Sequence, residues 1–127
     1  MISINKYIRN ILIQDLELKN LVNDKIYSVV IPENVSNPVI LIEHLSNSRN
    51  YIKNQKVSDS INVVIYTVAD DYLGSIEIAE RIDALLDCYE EENDNFKMSI
   101  RQSNTSEAYS GDYIQRIEYL VTINYKN

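Results

Sequence analysis

The stretch INVVIYTV, Ile61 to Val68, puts Ile61, Val63 and Ile65 on one face of an extended chain and Val64, Tyr66 and Val68 on the other. Such a segment belongs in the middle of a sheet with cover on both sides, and the remaining elements must be arranged around it. Asp70 and Asp71 follow as N-cap candidates. Ile78, Ile82, Leu85 and Tyr89, with Ala79 and Leu86 beside them, then predict an amphipathic helix running through Cys88. Glu77, Glu80, Arg81, Asp83 and Asp87 occupy its other face, and Glu90 to Asn95 reads as an acidic, unstructured exit.

Upstream, Ile4, Ile8, Ile11 and Leu12 recur at helical spacing. The stripe fails at Asp15, which suits an N-cap; a break there starts a fresh short turn carrying Leu18, Leu21 and Val22. Lys25 to Ile31 reads as a short strand suited to a sheet edge, stopped by Pro32. Val39 to Leu45 is an interior strand by its apolar run. Ser46 to Ser58, rich in Asn and Gln with Arg49, Lys53 and Lys56 and no acid before Asp59, reads as a long polar loop or a mobile hairpin tip. Downstream, Phe96, Met98 and Ile100, then Tyr113, Ile117, Tyr119, Val121, Ile123 and Tyr125, alternate with polar residues around a turn at Ser110, Gly111 and Asp112. Two long antiparallel strands follow, with one apolar face under the helices and one polar face open to water or a partner.

The expectation is a single α+β domain over residues 1–127. It has a mostly antiparallel sheet with two helices packed on one face, in the order α-β-β-β-α-β-β. The chain has 127 residues, of which 45% are hydrophobic, enough for a core without staples. One Cys cannot form an internal disulfide, and Met1 to Asn10 does not read as a signal peptide, so a reducing compartment is expected. The net charge of −7 opposes sequence-independent binding to nucleic acid and docking on anionic lipid, and no apolar run approaches the roughly 20 residues of a membrane span.

Candidate chemistry is sparse. His44 is the single histidine, on a strand and far in sequence from Cys88, so a Ser-His-Asp or Cys-His arrangement has no base beside its nucleophile. One His and one Cys cannot supply a structural zinc set, and Glu90 to Asn95 lacks the ligand spacing and central Gly of a calcium loop. Gly74 and Gly111 are the only glycines, which excludes phosphate-cradling Gly-rich loops. Glu80 with Asp83, or Asp83 with Asp87, has the spacing of a solvated helix face more than of an acid–base pair. No catalytic, cofactor or metal residue is assigned, and no enzyme is expected. Two surfaces remain as interface candidates. Arg49, Tyr51, Lys53 and Lys56 mix cation and aromatic in a way that suits single-stranded nucleic acid or, favoured on a chain of charge −7, an acidic protein partner, or they form a merely mobile loop. Arg101, Arg116 and Glu118 belong to the polar face of the last strands, a second candidate surface or an ordinary solvated face.

The segments Asp15–Tyr27 (DLELKNLVNDKIY), Pro38–Ile42 (PVILI), the passage INVVIYTVADDYLGSIEIAERIDALL from Ile61, and the closing EYLVTINY together resemble the tail-completion, or tail terminator, proteins of tailed phages and prophages, also called head-to-tail joining proteins. The likeness spans nearly the whole chain in element order and hydrophobic spacing. It implies a non-enzymatic subunit without cofactor that forms a homohexameric ring on the tail tube protein, ends tail polymerisation and presents a surface to the head connector. The implied locations are the host cytoplasm during assembly and the head-proximal end of the tail in the virion. DNA would pass through the lumen without specific binding, and no membrane would be involved. Six copies of a chain of charge −7 would discourage adhesion of DNA wherever the acids face inward. The alternatives are a small cytosolic ligand-binding or regulatory domain, marked by a deep apolar pocket, and another neck or connector-completion protein.

Overall fold

The computed structural model describes residues 1–126. Its elements are α1 (Ile4–Ile13), α2 (Leu16–Val22), β1 (Ile26–Ser28), β2 (Val39–Ile52), β3 (Gln55–Ala69), α3 (Tyr72–Leu86), β4 (Tyr89–Glu92), β5 (Phe96–Tyr109) and β6 (Tyr113–Tyr125). The six strands form one sheet in the order β1-β2-β3-β6-β5-β4, antiparallel throughout except for β1 against β2. The three helices cover one face, so the fold is α+β as expected, with one more helix and one more strand.

The core follows from the period-two pattern. Ile42, Ile65 and Ile117 lie opposite one another across three strands, as do Ile61, Val121 and Ile100. Against these rows pack Ile4, Ile8 and Leu12 of α1, Leu18 and Val22 of α2, and Ile78, Ile82 and Leu86 of α3, all buried. Each such side chain contributes about 1.5–3 kcal/mol of transfer free energy. The break at Asp15 is real: Asp15 accepts the Leu18 N–H at 3.0 Å and starts α2 as its N-cap. Asp71 does the same for α3 through the Gly74 N–H, also at 3.0 Å.

Four expectations need correction. The α3 helix stops at Leu86, and Cys88, in the left-handed region with φ 63°, turns the chain into a strand where an acidic exit was expected. In β4, Tyr89 and Glu91 are half-buried while Glu90 and Glu92 face water, the charged pattern that protects a sheet edge. The first edge strand is shorter than expected, three residues ending at Ser28 with Val29 at φ 71°. Cover over Ile61–Val68 is one-sided: the helices bury Ile61, Val63 and Ile65, while Tyr66 and Val68 on the far face stay half-exposed. Val64 is nonetheless buried in the sheet surface between its cross-strand neighbours Glu43 and Glu118.

Of the two readings of Ser46–Ser58, the hairpin is the one that holds: the segment is a regular arm of paired strands. Its strands are joined by a two-residue turn in which Lys53 and Asn54 have φ of 51° and 65°, the positive values that a type I′ hairpin demands. Polar pairs hold the arm together: Asn62 Nδ2 donates to Ser46 Oγ at 3.0 Å and Asn50 Nδ2 to Ser58 Oγ at 2.9 Å. Replacing Lys53-Asn54 by Asn-Gly relieves the strain at the turn, and we expect it to stabilise the arm by roughly 0.5–1 kcal/mol, measured as slower amide exchange across Asn50–Lys56.

Candidate functional site

The interface candidates fall into two separate places. Arg49, Tyr51, Lys53 and Lys56 all lie on the β2–β3 arm, which projects past one end of the sheet. They do not act alike. Arg49 is committed to the fold: its Nε and Nη2 donate to Asp59 Oδ1 and Oδ2 at 2.7 and 2.9 Å. Asp59 is fully buried and also accepts from the Met1 amine, the Tyr125 hydroxyl and, at 3.4 Å, Asn47 Nδ2. The Arg49 guanidinium holds the Asp59 carboxyl far below the usual carboxylate range against the opposing pull of burial, and the carboxylate in turn raises the Arg49 pKa. The Lys56 ammonium stands 4.4 Å from the centre of the Tyr125 ring, a cation–π contact. Tyr51 and Ile52 are each 62% exposed, and Lys53 occupies the exposed turn.

Asp59 carried no role in the sequence reading. The signal available was a lone acid closing a polar, basic stretch, opposite Arg49 once the hairpin is drawn; the register pairs these two residues directly.

The other three candidates, Arg101, Arg116 and Glu118, share the sheet face away from the helices. Arg116 and Glu118 approach to 3.7 Å, and Arg101 reaches Glu90 of β4 at 3.3 Å. Partly exposed pairs of this kind contribute little to stability. This face is less polar than the alternation implied. Val39, Leu41, Val64, Tyr66, Val68 and Ile114 form an apolar strip beside the charged pair, with no helix over them.

The acids of α3 are tied down as well. Asp83 accepts the Tyr119 hydroxyl at 2.8 Å and Gln102 Nε2 at 3.0 Å, and Asp87 accepts the Gln102 N–H at 2.9 Å. Burial, and then the Asp83 carboxylate, push the Tyr119 hydroxyl pKa upward, so the phenol stays a proton donor. These side chains fasten α3 to β5 and β6. The groove beside them, about 280 Å³ and lined by Ala79, Glu80, Asp83, Gln102, Thr105 and Ile117 among others, is open to solvent. His44 is half-buried on β2 opposite Val63. Among the described residues no group of three or more His, Cys, Asp or Glu side chains is placed to hold a metal ion, and no helix is long and apolar enough to cross a membrane.

No protein-family model matches the chain, and no curated protein matches it. The fold is similar to that of a chain in the virion of a native gene transfer agent particle. That similarity has a TM-score of 0.72 over 94% of this chain and 92% of the other, at 14% sequence identity.

Proposed function

We propose that the chain is a structural component of a phage or phage-like virion, acting as a tail terminator: a homohexameric ring that caps the tail tube, ends its polymerisation and joins it to the head connector. The observation that carries this reading is the fold similarity to a chain of a gene transfer agent virion over nearly the full length of both. The exposed arm and the half-apolar sheet face support it, because a subunit held between neighbours needs more than one contact surface. The tethering of Asp83 and Asp87 by Tyr119 and Gln102 supports a non-enzymatic role, since these acids serve packing. A terminator works by occupying a tube end, so its chemistry is complementarity of surface and charge. The partners would be other copies of the chain, the tail tube protein and the head connector, with DNA passing through without specific binding.

Native mass measurement and negative-stain imaging of the pure protein, repeated after mixing with tail-tube subunits, tests the reading. Sixfold rings, alone or only on tube ends whose lengths become uniform, are expected. A monomer that neither binds tubes nor limits their length refutes it and favours a ligand-binding domain. Rings that bind the connector but leave tube growth unchanged would assign the chain to another neck or connector-completion role.

A further inference from the structure

The sheet is unfinished at two opposite corners. Although β2 and β5 have fourteen residues each, β1 pairs only with Ile40–Ile42 and β4 only with Lys97–Ile100. The Val29 N–H donates to the Ile42 carbonyl, the Cys88 N–H to the Ile100 carbonyl, and the Gln102 N–H to Asp87. Beyond these contacts, among the described residues, the outer edge of β2 from 44 to 52 and that of β5 from 103 to 109 have no strand partner. The β2 edge lies at the end of the sheet marked by the Lys53–Asn54 turn. The β5 edge lies at the other end, by Gly111, as the pairings Ser58–Asn124 and Ala69–Tyr113 show. Open backbone edges of this length are sites for adding a strand.

We propose that copies of this chain join edge to edge, residues 45–51 of one copy pairing antiparallel with residues 103–109 of the next. The inference deepens the ring reading above and rests on it for the purpose of the assembly. Strand direction fits. Three antiparallel steps separate β2 from β5, so a neighbour in the same orientation presents them antiparallel, the more stable ladder. Length fits as well: with Leu45 opposite Tyr109, residues 45–51 match residues 103–109 one for one, the start of β4 at Tyr89 lies by the neighbour's turn, and the neighbour's β1 has ended at Ser28 before β5 of the first copy is reached. In that register the Lys53–Asn54 turn meets the Asp87–Cys88 bend with Glu90 beside it, and Leu45, 49% exposed, meets Tyr109, 66% exposed.

Charge favours this pairing over each edge meeting its own kind. Arg49 is neutralised by Asp59, which leaves Lys53 and Lys56 as the net charge of the β2 arm; residues 102–113 carry Glu107 and Asp112 and no Lys or Arg. Opposite charge steers the arms together, while two β2 arms or two β5 arms would repel. The contact joins two different surfaces, so it repeats head to tail and closes into a ring when the rotation per copy permits.

The test is hydrogen exchange of the whole protein, dilute and then concentrated, with native mass recorded alongside. We expect oligomers at high concentration in which amide exchange slows at least about tenfold on 45–51 and 103–109 together. K53E with K56E should weaken association about tenfold, and added salt should weaken the unaltered protein in the same direction. With Cys88 replaced by Ser, S48C and S106C in one chain should give a disulfide-linked ladder under oxidation, and either alone should not. An oligomer whose two edges exchange as in the monomer overturns the proposal, as does a protein that stays monomeric when concentrated. Edge pairing in an assembly that leaves tube lengths unchanged would refute capping and leave the pairing standing; capping with both edges exchanging freely would do the reverse.

Discussion

Replacing Asp59 by Ala lowers the unfolding free energy by about 3 kcal/mol. The carboxylate is fully buried and is the shared acceptor of Arg49, Tyr125, Asn47 and the Met1 amine, so its removal leaves several donors unpaired at once. Because Arg49 keeps partial access to water, it can re-solvate, which holds the cost at the lower end of the range for broken buried pairs. Urea titration of the variant measures it; a midpoint within error of the parent protein would show that the cluster is incidental. The same group predicts acid sensitivity. Its folded pKa is depressed, so its stabilisation is fully present above the unfolded value near 3.9 and is lost as pH falls from there toward the folded one. Stability of the parent protein should therefore drop below about pH 4, and the drop should be shallower in the Asp59→Ala variant.

Asp15→Ala should cost about 2 kcal/mol, because one carboxylate does two jobs. It caps α2 through the Leu18 N–H and takes Arg81 of α3 in a bidentate pair, Nη2 to Oδ1 at 2.6 Å and Nε to Oδ2 at 2.9 Å. Arg81 lowers the Asp15 pKa, so this stabilisation too is present above the unfolded carboxyl value and lost below it. Asn is also a good N-cap, so Asp15→Asn should retain about half of the stability that Asp15→Ala loses. Equal losses in the two variants would place the whole effect in the ion pair.

How much could be read in advance follows from what each segment's signal depends on. Alternation along a strand is local, and so is helical spacing: Ile61, Val63 and Ile65, or Ile78, Ile82 and Leu86, announce their elements without help from the rest of the chain. Asp15 and Asp71 are legible as caps because capping is decided within three residues. The β2–β3 arm is not local. Asn, Ser and Lys have poor strand propensity, and what makes Asn47–Lys56 a hairpin is the Asp59 cluster, assembled from Met1, Arg49 and Tyr125 across the sequence. The position of the turn within the hairpin alternative is unmarked for a related reason, since Lys53 stands where Asn or Gly ordinarily supplies positive φ. β4 was hidden by its acids, which suit an edge strand but look like a solvated tail.

The interface residues were legible only in part. Composition isolated the basic stretch, yet Arg49 was grouped with Lys53 although one is locked to Asp59 and the other sits at the exposed turn. What composition could not show is that the arm leaves a strand edge open, and that an edge of opposite charge is open at the far corner of the same sheet.

The most direct measurement of the central claim is quantitative mass spectrometry of purified particles from the source that encodes this chain, with antibody labelling of the same particles in the electron microscope. The account predicts the chain in the mature particle, at one hexamer per tail, with label at the junction of head and tail. A chain absent from purified particles, or scattered along them without a fixed position, would contradict it.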